Sequence, residues 1–299
     1  MASHSSESKG NSQGASPGGG PLEGLRVLDL GEAFAGPLGA SLLGEFGAEV
    51  IKVEPPGIGN NMRSFPPFSD GVSLWWALEG RNKRSLTVDM RREKGQEIIR
   101  RLVRISDVVV ENFRPGTLER WNLGYEELRR LNEGIVLFRA TGFGQEGPYS
   151  HLPSYDTVGS AMGGLTYLTG TPDRPPLRTG LSVCDYLSAS FNALGILLSL
   201  YNRGKMGVGQ WAELGQYEVI FRLSGPLAAA YDRLGLVPER TGNQHPWVAP
   251  YGIFETREGR WVAVAAVEDP AFARLAEAMG EERLLRQPRY VTLAGRAEG

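Results

Sequence analysis

The chain has 299 residues, 41% hydrophobic and 22% charged, with 32 basic against 34 acidic side chains, the composition of a globular protein of one large or two medium domains. A formal net charge of −2 leaves no whole-chain field to draw nucleic acid or an anionic membrane. One cysteine, Cys184, and three histidines exclude an intramolecular disulfide and argue against a resident metal, and no run approaches 18 uninterrupted apolar residues, so a cytoplasmic protein without a membrane span is expected.

Residues 1–20, MASHSSESKGNSQGASPGGG, are rich in serine and glycine without apolar periodicity, and are expected to be a disordered tail. They lack the apolar stretch of a secretory signal and the arginines of a transit peptide. LRVLDL (Leu25–Leu30) then reads as a buried parallel strand. Ala35-Gly36-Pro37 opens a helix over Leu38–Phe46, with proline suited to a first turn. AEVIKVE (Ala48–Glu54), SLTVDM (Ser85–Met90), DVVVEN (Asp107–Asn112) and Gly134–Ala140 read as further strands, with helices near Lys94–Ile105 and Tyr125–Leu131. This alternation implies an α/β fold whose parallel sheet is covered on both faces. Tyr186–Tyr201 reads as a long helix dotted with small residues, a buried core helix rather than a membrane one. A second helix follows near Leu214–Leu234, then a hairpin of Tyr251–Thr256 and Trp261–Val267 turning at Gly259, then helix over 270–286. The expected division is a tail at 1–20, a large domain with linker helices at 21–225, and a smaller domain at 226–299.

Glycine is abundant, 40 residues, which fits either many tight turns or a backbone that closes on a ligand. The first strand is followed by Gly31, Gly36, Gly39 and Gly44, which is not the dinucleotide-binding spacing, although Glu54 stands where a ribose-binding acid would. No P-loop occurs. Arg81, Asn82, Lys83 and Arg84, then Arg114 and Arg120, lie beside strand ends, where they make either a solvated rim or a phosphate site. Asn112-Phe113-Arg114-Pro115-Gly116 fits an adenine stack and a phosphate grip, or ordinary turn chemistry over a core phenylalanine. Gly142–Pro148, with Gly144 and Gln145 at its centre, is a second glycine-rich turn. Asp156 leads into a helix, as a cap or as a carboxylate nucleophile.

Taken in order, PLEGLRVLDL, AGP, GAEVIKVEPPG, GRNKRSLTVDM, DVVVENFRPG, NLGYEEL, TGFGQEGPY, YDTVGSAMGGLTYLTG and GNQHPWVAPYGIF resemble the class III CoA-transferase family, the CaiB/BaiF group that includes formyl-CoA and carnitine CoA-transferases. The resemblance runs from residue 21 to about residue 270. It implies a Rossmann-like large domain, a small domain and an interlocked homodimer. It also implies a covalent exchange of CoA between an acyl-CoA and a small carboxylic acid, with coenzyme A as substrate and no tightly bound cofactor. By resemblance the nucleophile is Asp156, and the CoA positions are Phe34, Ala35, the Gly80–Lys83 turn with Arg81, Asn82 and Lys83, then Asn112, Phe113, Arg114 and Arg120. The FGQEGP turn with Gly144 and Gln145 lies near the thioester.

The chain departs from the family pattern at Pro55, where some members carry arginine, and at Ser160, where the pattern has glutamine. Gly242-Asn243-Gln244-His245-Pro246 replaces the glycine-only loop of formyl-CoA transferases, which argues against formyl-CoA and oxalate. Asn243, His245 and Trp247 are expected at the acyl site, and succinyl-CoA is a candidate donor. An α-methylacyl-CoA racemase is a second reading, set against the lack of histidine between Phe113 and Ser150. A non-catalytic CoA-binding protein is a third, because family members continue beyond the point matching Gly299.

Overall fold

A computed structural model describes residues 19–298; the expected tail, apart from Gly19 and Gly20, lies outside them. The chain divides into two compact units. One holds the residues up to Gly159 with Val183–Val219, the other Ser160–Ser182 with the residues from Ile220 onward.

In chain order the elements begin β1 (Arg26–Asp29), α1 (Ala35–Glu45), β2 (Glu49–Glu54), the small hairpin β3 (Phe68–Ser69) and β4 (Val72–Ser73), α2 (Leu74–Glu79) and β5 (Lys83–Thr87). They continue with α3 (Glu93–Val103), β6 (Val108–Glu111), α4 (Thr117–Arg120), α5 (Tyr125–Leu131) and β7 (Val136–Thr141). Then come α6 (Asp156–Met162), α7 (Leu165–Leu168), α8 (Val183–Met206), β8 (Trp211–Gly215), α9 (Gln216–Leu223) and α10 (Leu227–Leu234). The hairpin β9 (Tyr251–Glu255) and β10 (Trp261–Ala265), α11 (Asp269–Ala278) and α12 (Leu293–Glu298) complete the described chain.

Six strands form one sheet in the order β5-β2-β1-β6-β7-β8, every pair parallel. Numbered by their place in the chain, the sheet strands run 3-2-1-4-5-6, the doubly wound order of nucleotide-binding folds. Alternation along each strand sends side chains to opposite faces. Leu28, Val53, Val109 and Leu137 join α3 and α5 residues such as Ile99 and Leu128 in one core. Val27, Val50, Val108, Val136 and Phe138 face the other way onto α1 and α8, meeting Ala40, Leu43 and Ile196. Strands covered on both faces have no polar side to show, hence the uninterrupted VVV of β6.

Among the described residues α8 alone has the length and apolarity to cross a membrane, with a mean hydropathy of 1.4 over its best window. It packs instead along α1 and against β7 and β8. Its inward residues include Asp185, Ser188, Asn192 and Ser199, and Asn192 donates to the Ala35 carbonyl at 2.7 Å. Buried polar groups that bond inside the unit, as Asp185, Asn192 and Ser199 do, are the mark of a core helix.

The least ordinary feature of the first unit is a buried cluster of charge. Asp29, at the end of β1, and Lys52, on β2, are both fully buried and lie 3.3 Å apart. Lys83, from the start of β5, reaches the other Asp29 oxygen at 2.9 Å and the Pro37 carbonyl at 2.7 Å. Lys52 also donates to the carbonyls of Gly31 and Val53. Burial pushes the Asp29 carboxyl up, but Lys52 and Lys83 together hold it below the usual carboxylate range. Burial pulls Lys83 down from its ordinary value against the attraction of Asp29.

Three expectations change. The division falls at Val219 rather than residue 225, and Ser160–Ser182 goes with the second unit, because the segment contacts residues far along the chain, as in the Arg240 hydrogen bonds to the Tyr167 and Thr171 carbonyls. The single helix expected over Leu214–Leu234 is the end of β8 and two helices, broken where Gly225 adopts a φ of +57° and Pro226 follows it. The third sheet strand begins at Lys83 and not at Ser85, because Lys83 and Arg84 already pair with Val50 and Ile51 of β2.

Asp29→Asn is expected to cost about 3–5 kcal/mol of unfolding free energy, since it strands two buried ammonium groups without their shared carboxylate. Urea denaturation of wild type and variant measures this, and a loss under 1 kcal/mol would show the cluster to be dispensable.

Candidate active site

In an open parallel sheet the strand order reverses at one place, and the loops leaving the two strands there part to leave a crevice. Here the reversal lies between β1 and β6, and a cavity of about 240 Å³ occupies that position. Its walls come from Glu32–Ala35 after β1, Asn112–Pro115 after β6 and Thr141–Gly142 at the end of β7, joined by Ser154, Tyr155, Asp185 and Gln216.

The loop after β1 is shaped by its neighbours. The Asn112 side chain accepts the Glu32 N–H at 2.7 Å and donates to the Glu32 carbonyl at 2.6 Å, which fastens the two strand ends together. A Cβ at Gly31 would stand 3.0 Å from the Asn112 Oδ1 and 2.9 Å from the Pro37 ring, so only glycine allows this approach. Ala33 takes a left-handed φ of +53° and donates its N–H to the Asn61 side chain at 2.9 Å. That turn delivers Phe34 to the cavity wall, where its ring stacks on Phe65 and meets the edge of Trp75.

At the other wall Phe113 packs against Trp121, and its N–H donates to Glu111 at 2.7 Å. Arg114 is exposed, lines the cavity and makes no ion pair among the described residues. Below it, Glu111 is buried, and burial pushes it up to about 7 against the pull of Arg139.

Asp156 follows directly on the lining residue Tyr155 and is only 8% exposed. Its Oδ1 accepts the backbone N–H of Asp185 at 3.2 Å. The Asp185 side chain in turn accepts the Gln216 amide at 2.7 Å. Burial first, and the Asp156 carboxylate second, push Asp185 up to about 7. A Cβ at Gly159 would come 2.7 Å from the Cys184 Sγ, so glycine is what lets the start of α6 lie close enough to α8 for these bonds. The arrangement is a buried carboxylate beside a crevice walled by an aromatic ring, an amide-clamped loop and an exposed cation. A family model described as CoA-transferase family III matches residues 22–299.

The chain belongs to CoA-transferase family III.

It is 48% identical over 279 residues to the succinyl-CoA–D-citramalate CoA-transferase of Chloroflexus aurantiacus, covering 93% of this chain and 69% of that one. It is 41% identical over 273 residues to the beta subunit of the succinyl-CoA–L-malate CoA-transferase of the same organism, covering 90% and 67%. The chain thus spans about two thirds of the length of these relatives. Among solved structures, a CaiB/BaiF family protein from Brucella suis superimposes with a TM-score of 0.81 at 34% identity, over 94% of this chain and 75% of that one.

Within this CoA-transferase the cavity gathers Phe34, Ala35, Asn112, Phe113 and Arg114, with Asp156 bonded to its wall. Other sequence candidates are drawn away from it by partners inside the fold. Lys83 is spent on Asp29 and Pro37. Arg81 binds Glu45 and the Leu78 carbonyl. Asn82 forms a left-handed turn with φ +61°, and Arg120 donates to Thr117 at 2.9 Å. Gly144 takes a φ of +83° beside Glu213, which also accepts the Gln145 N–H, while the Gln145 side chain accepts from Arg139. Within the second unit, His245 and Trp247 line an apolar cavity of about 560 Å³.

Asp185, Gln216 and Asn61 carry no signal in the sequence. An aspartate in the first turn of a helix reads as a partner of the helix dipole, and its bond to an amide 31 residues away is a product of the fold.

Stability carries a signature of Glu111. Its folded pKa of about 7 lies above the ordinary 4.5, so the unfolded chain binds fewer protons across that window and stability falls as pH rises through it. Glu111→Gln is expected to flatten this decline while keeping an acceptor for the Phe113 N–H. Urea unfolding of both proteins from about pH 5 to about pH 8 reads the difference in slope.

Proposed function

We propose that the chain moves CoA from succinyl-CoA to a small carboxylic acid, with Asp156 as covalent nucleophile. The observation that carries this reading is the Asp156 carboxylate, buried yet fixed by one N–H at the wall of the switch-point cavity. The donor is supported by the two relatives named above, whose names both specify succinyl-CoA. The acceptor class is a small hydroxy-substituted dicarboxylic acid, as in those names.

In this reading Asp156 attacks the thioester carbonyl, forming a mixed anhydride and releasing the CoA thiolate. The thiolate attacks the aspartyl carbonyl, freeing the donor acid and leaving an aspartyl–CoA thioester. The acceptor carboxylate attacks that thioester, and the thiolate released returns to the acceptor acyl carbon, which regenerates Asp156. Each exchange joins acids of similar energy, so no external driving force is needed. Arg114 is suited to a CoA phosphate, because it lines the cavity and has no acidic partner among the described residues. Phe34 and Phe113 offer apolar walls, and Asn112 shapes the cavity through Glu32.

A homodimer belongs to the same proposal. Phe221, Tyr231 and Leu234 on α9 and α10 stand more than half exposed, apolar surface of the kind a second chain covers. A cytoplasmic location is supported by Cys184, a buried free thiol. The racemase reading gains nothing from the cavity, which no histidine lines among the described residues.

Brief incubation with succinyl-CoA followed by intact-protein mass spectrometry is expected to show a succinyl- or CoA-sized adduct mapped to Asp156 and missing from Asp156→Ala. An adduct that persists in the variant would assign the chemistry elsewhere. Arg114→Gln is expected to raise the KM for acyl-CoA about tenfold while kcat moves less than about twofold, the pattern of a lost binding contact. Steady-state kinetics over a series of acyl-CoA concentrations measures both.

A further inference from the structure

We infer that Asp185 is a positioning residue for this reaction: held as the neutral acid between Gln216 and Asp156, it leaves Asp156 the one ionised carboxyl of the pair. The inference rests on the proposed role of Asp156 and deepens it.

Three observations support it. Asp156 and Asp185 are both buried, at 8% and 6% exposure, and are joined through the Asp185 N–H. Among the described residues no lysine or arginine forms an ion pair or hydrogen bond with either carboxyl. Two carboxylates in one poorly solvated site, without a cation, do not both ionise. Attack on a thioester needs the charged form of the nucleophile, so the proposed role of Asp156 leaves the shared proton to Asp185. Asp156 accepts the Asp185 backbone N–H on Oδ1. Asp185 accepts the Gln216 amide on Oδ1, leaving Oδ2 to hold the proton.

The surroundings are consistent with a proton kept on Asp185. Its own helix places Cys184 and Tyr186 on either side, both pushed up to about 12 and therefore neutral. Glu79 from α2 is bonded to the Tyr186 hydroxyl. Glu32 and Arg114 line the same cavity without bonding to Asp185. Burial and the Asp156 charge raise Asp185 to about 7, so the proton is present below that pH and lost above it. Attack on the thioester puts negative charge on the carbonyl oxygen and then on sulfur. A second anion beside the nucleophile raises that barrier, and the reaction slows as Asp185 ionises.

The test follows the initial rate of adduct formation on Asp156 with succinyl-CoA, from about pH 5.5 to about pH 9. Wild type is expected to lose about tenfold per pH unit above an inflection near 7. Asp185→Asn is expected to label at low pH and to lack this limb. Gln216→Ala, which removes a donor that favours the charged form, is expected to move the limb to higher pH. The infrared C=O stretch of a protonated carboxyl is expected in wild type at mildly acid pH and to be missing from Asp185→Asn.

A limb that survives in Asp185→Asn, or a flat wild-type profile, overturns the inference. So does an Asp185→Asn protein that melts like wild type yet never labels. If Asp185→Asn does not fold, the Gln216→Ala limb decides: an upward move supports Asp185, and no move or a downward one overturns it. Should no acyl-CoA label Asp156 in wild type, the nucleophile assignment fails. The infrared band of Asp185, present or absent, then still upholds or overturns its neutral state.

Discussion

The carboxylate of Asp29, sealed between Lys52 and Lys83, is the constraint around which the first unit is arranged. It sits at the end of β1, and its two cations come from within β2 and from the start of β5, so one acid ties three neighbouring strands together. Lys52 also holds the Gly31 carbonyl, which sets the direction in which the chain leaves β1. A buried ion pair of this kind adds little stability over an apolar replacement, because each charge has been taken out of water. What it supplies is uniqueness: the cluster closes only when the three strands are in register.

From that fixed exit the functional geometry follows in short steps. Gly31 lets Asn112 approach, Asn112 clamps Glu32, and the left-handed turn at Ala33 swings Phe34 into the crevice. On the far side α8 does for Asp156 what the cluster does for the loop. Its first turn carries the N–H that meets the carboxylate, and further along Asn192 reaches back to Ala35 at the head of α1. One helix thus contacts both walls of the crevice, and neither wall is set by surface contacts alone.

Much of this was legible in the residues. Runs such as VVV in β6 declare strands buried on both faces, and the alternation of strand and helix declares a parallel sheet, so the α/β class followed from pattern alone. The segment RNKR leaves a solvated rim and a phosphate site equally open in the sequence, because charge normally seeks water. In the structure three of its members meet Glu45, Asp29 and Glu49, acids distant in sequence that only the folded sheet brings near. The sequence suggests one boundary at 225 and carries no sign that Ser160–Ser182 groups with the later unit. A segment returning from another part of the chain leaves no mark in composition. Asp185 stayed invisible because its role arises from having a second carboxyl beside it and no cation.

Cys184 sits at the junction of these parts, fully buried, with its Sγ 3.4 Å from the Gln216 carbonyl and Gly159 pressed against it. It is the one thiol in the chain. A thiol reagent therefore reaches it only when α6 and α8 separate, and its reaction rate reports the free energy of that local opening without any engineered label. The molecule carries a built-in gauge, placed one residue from Asp185, of how tightly the crevice is kept assembled.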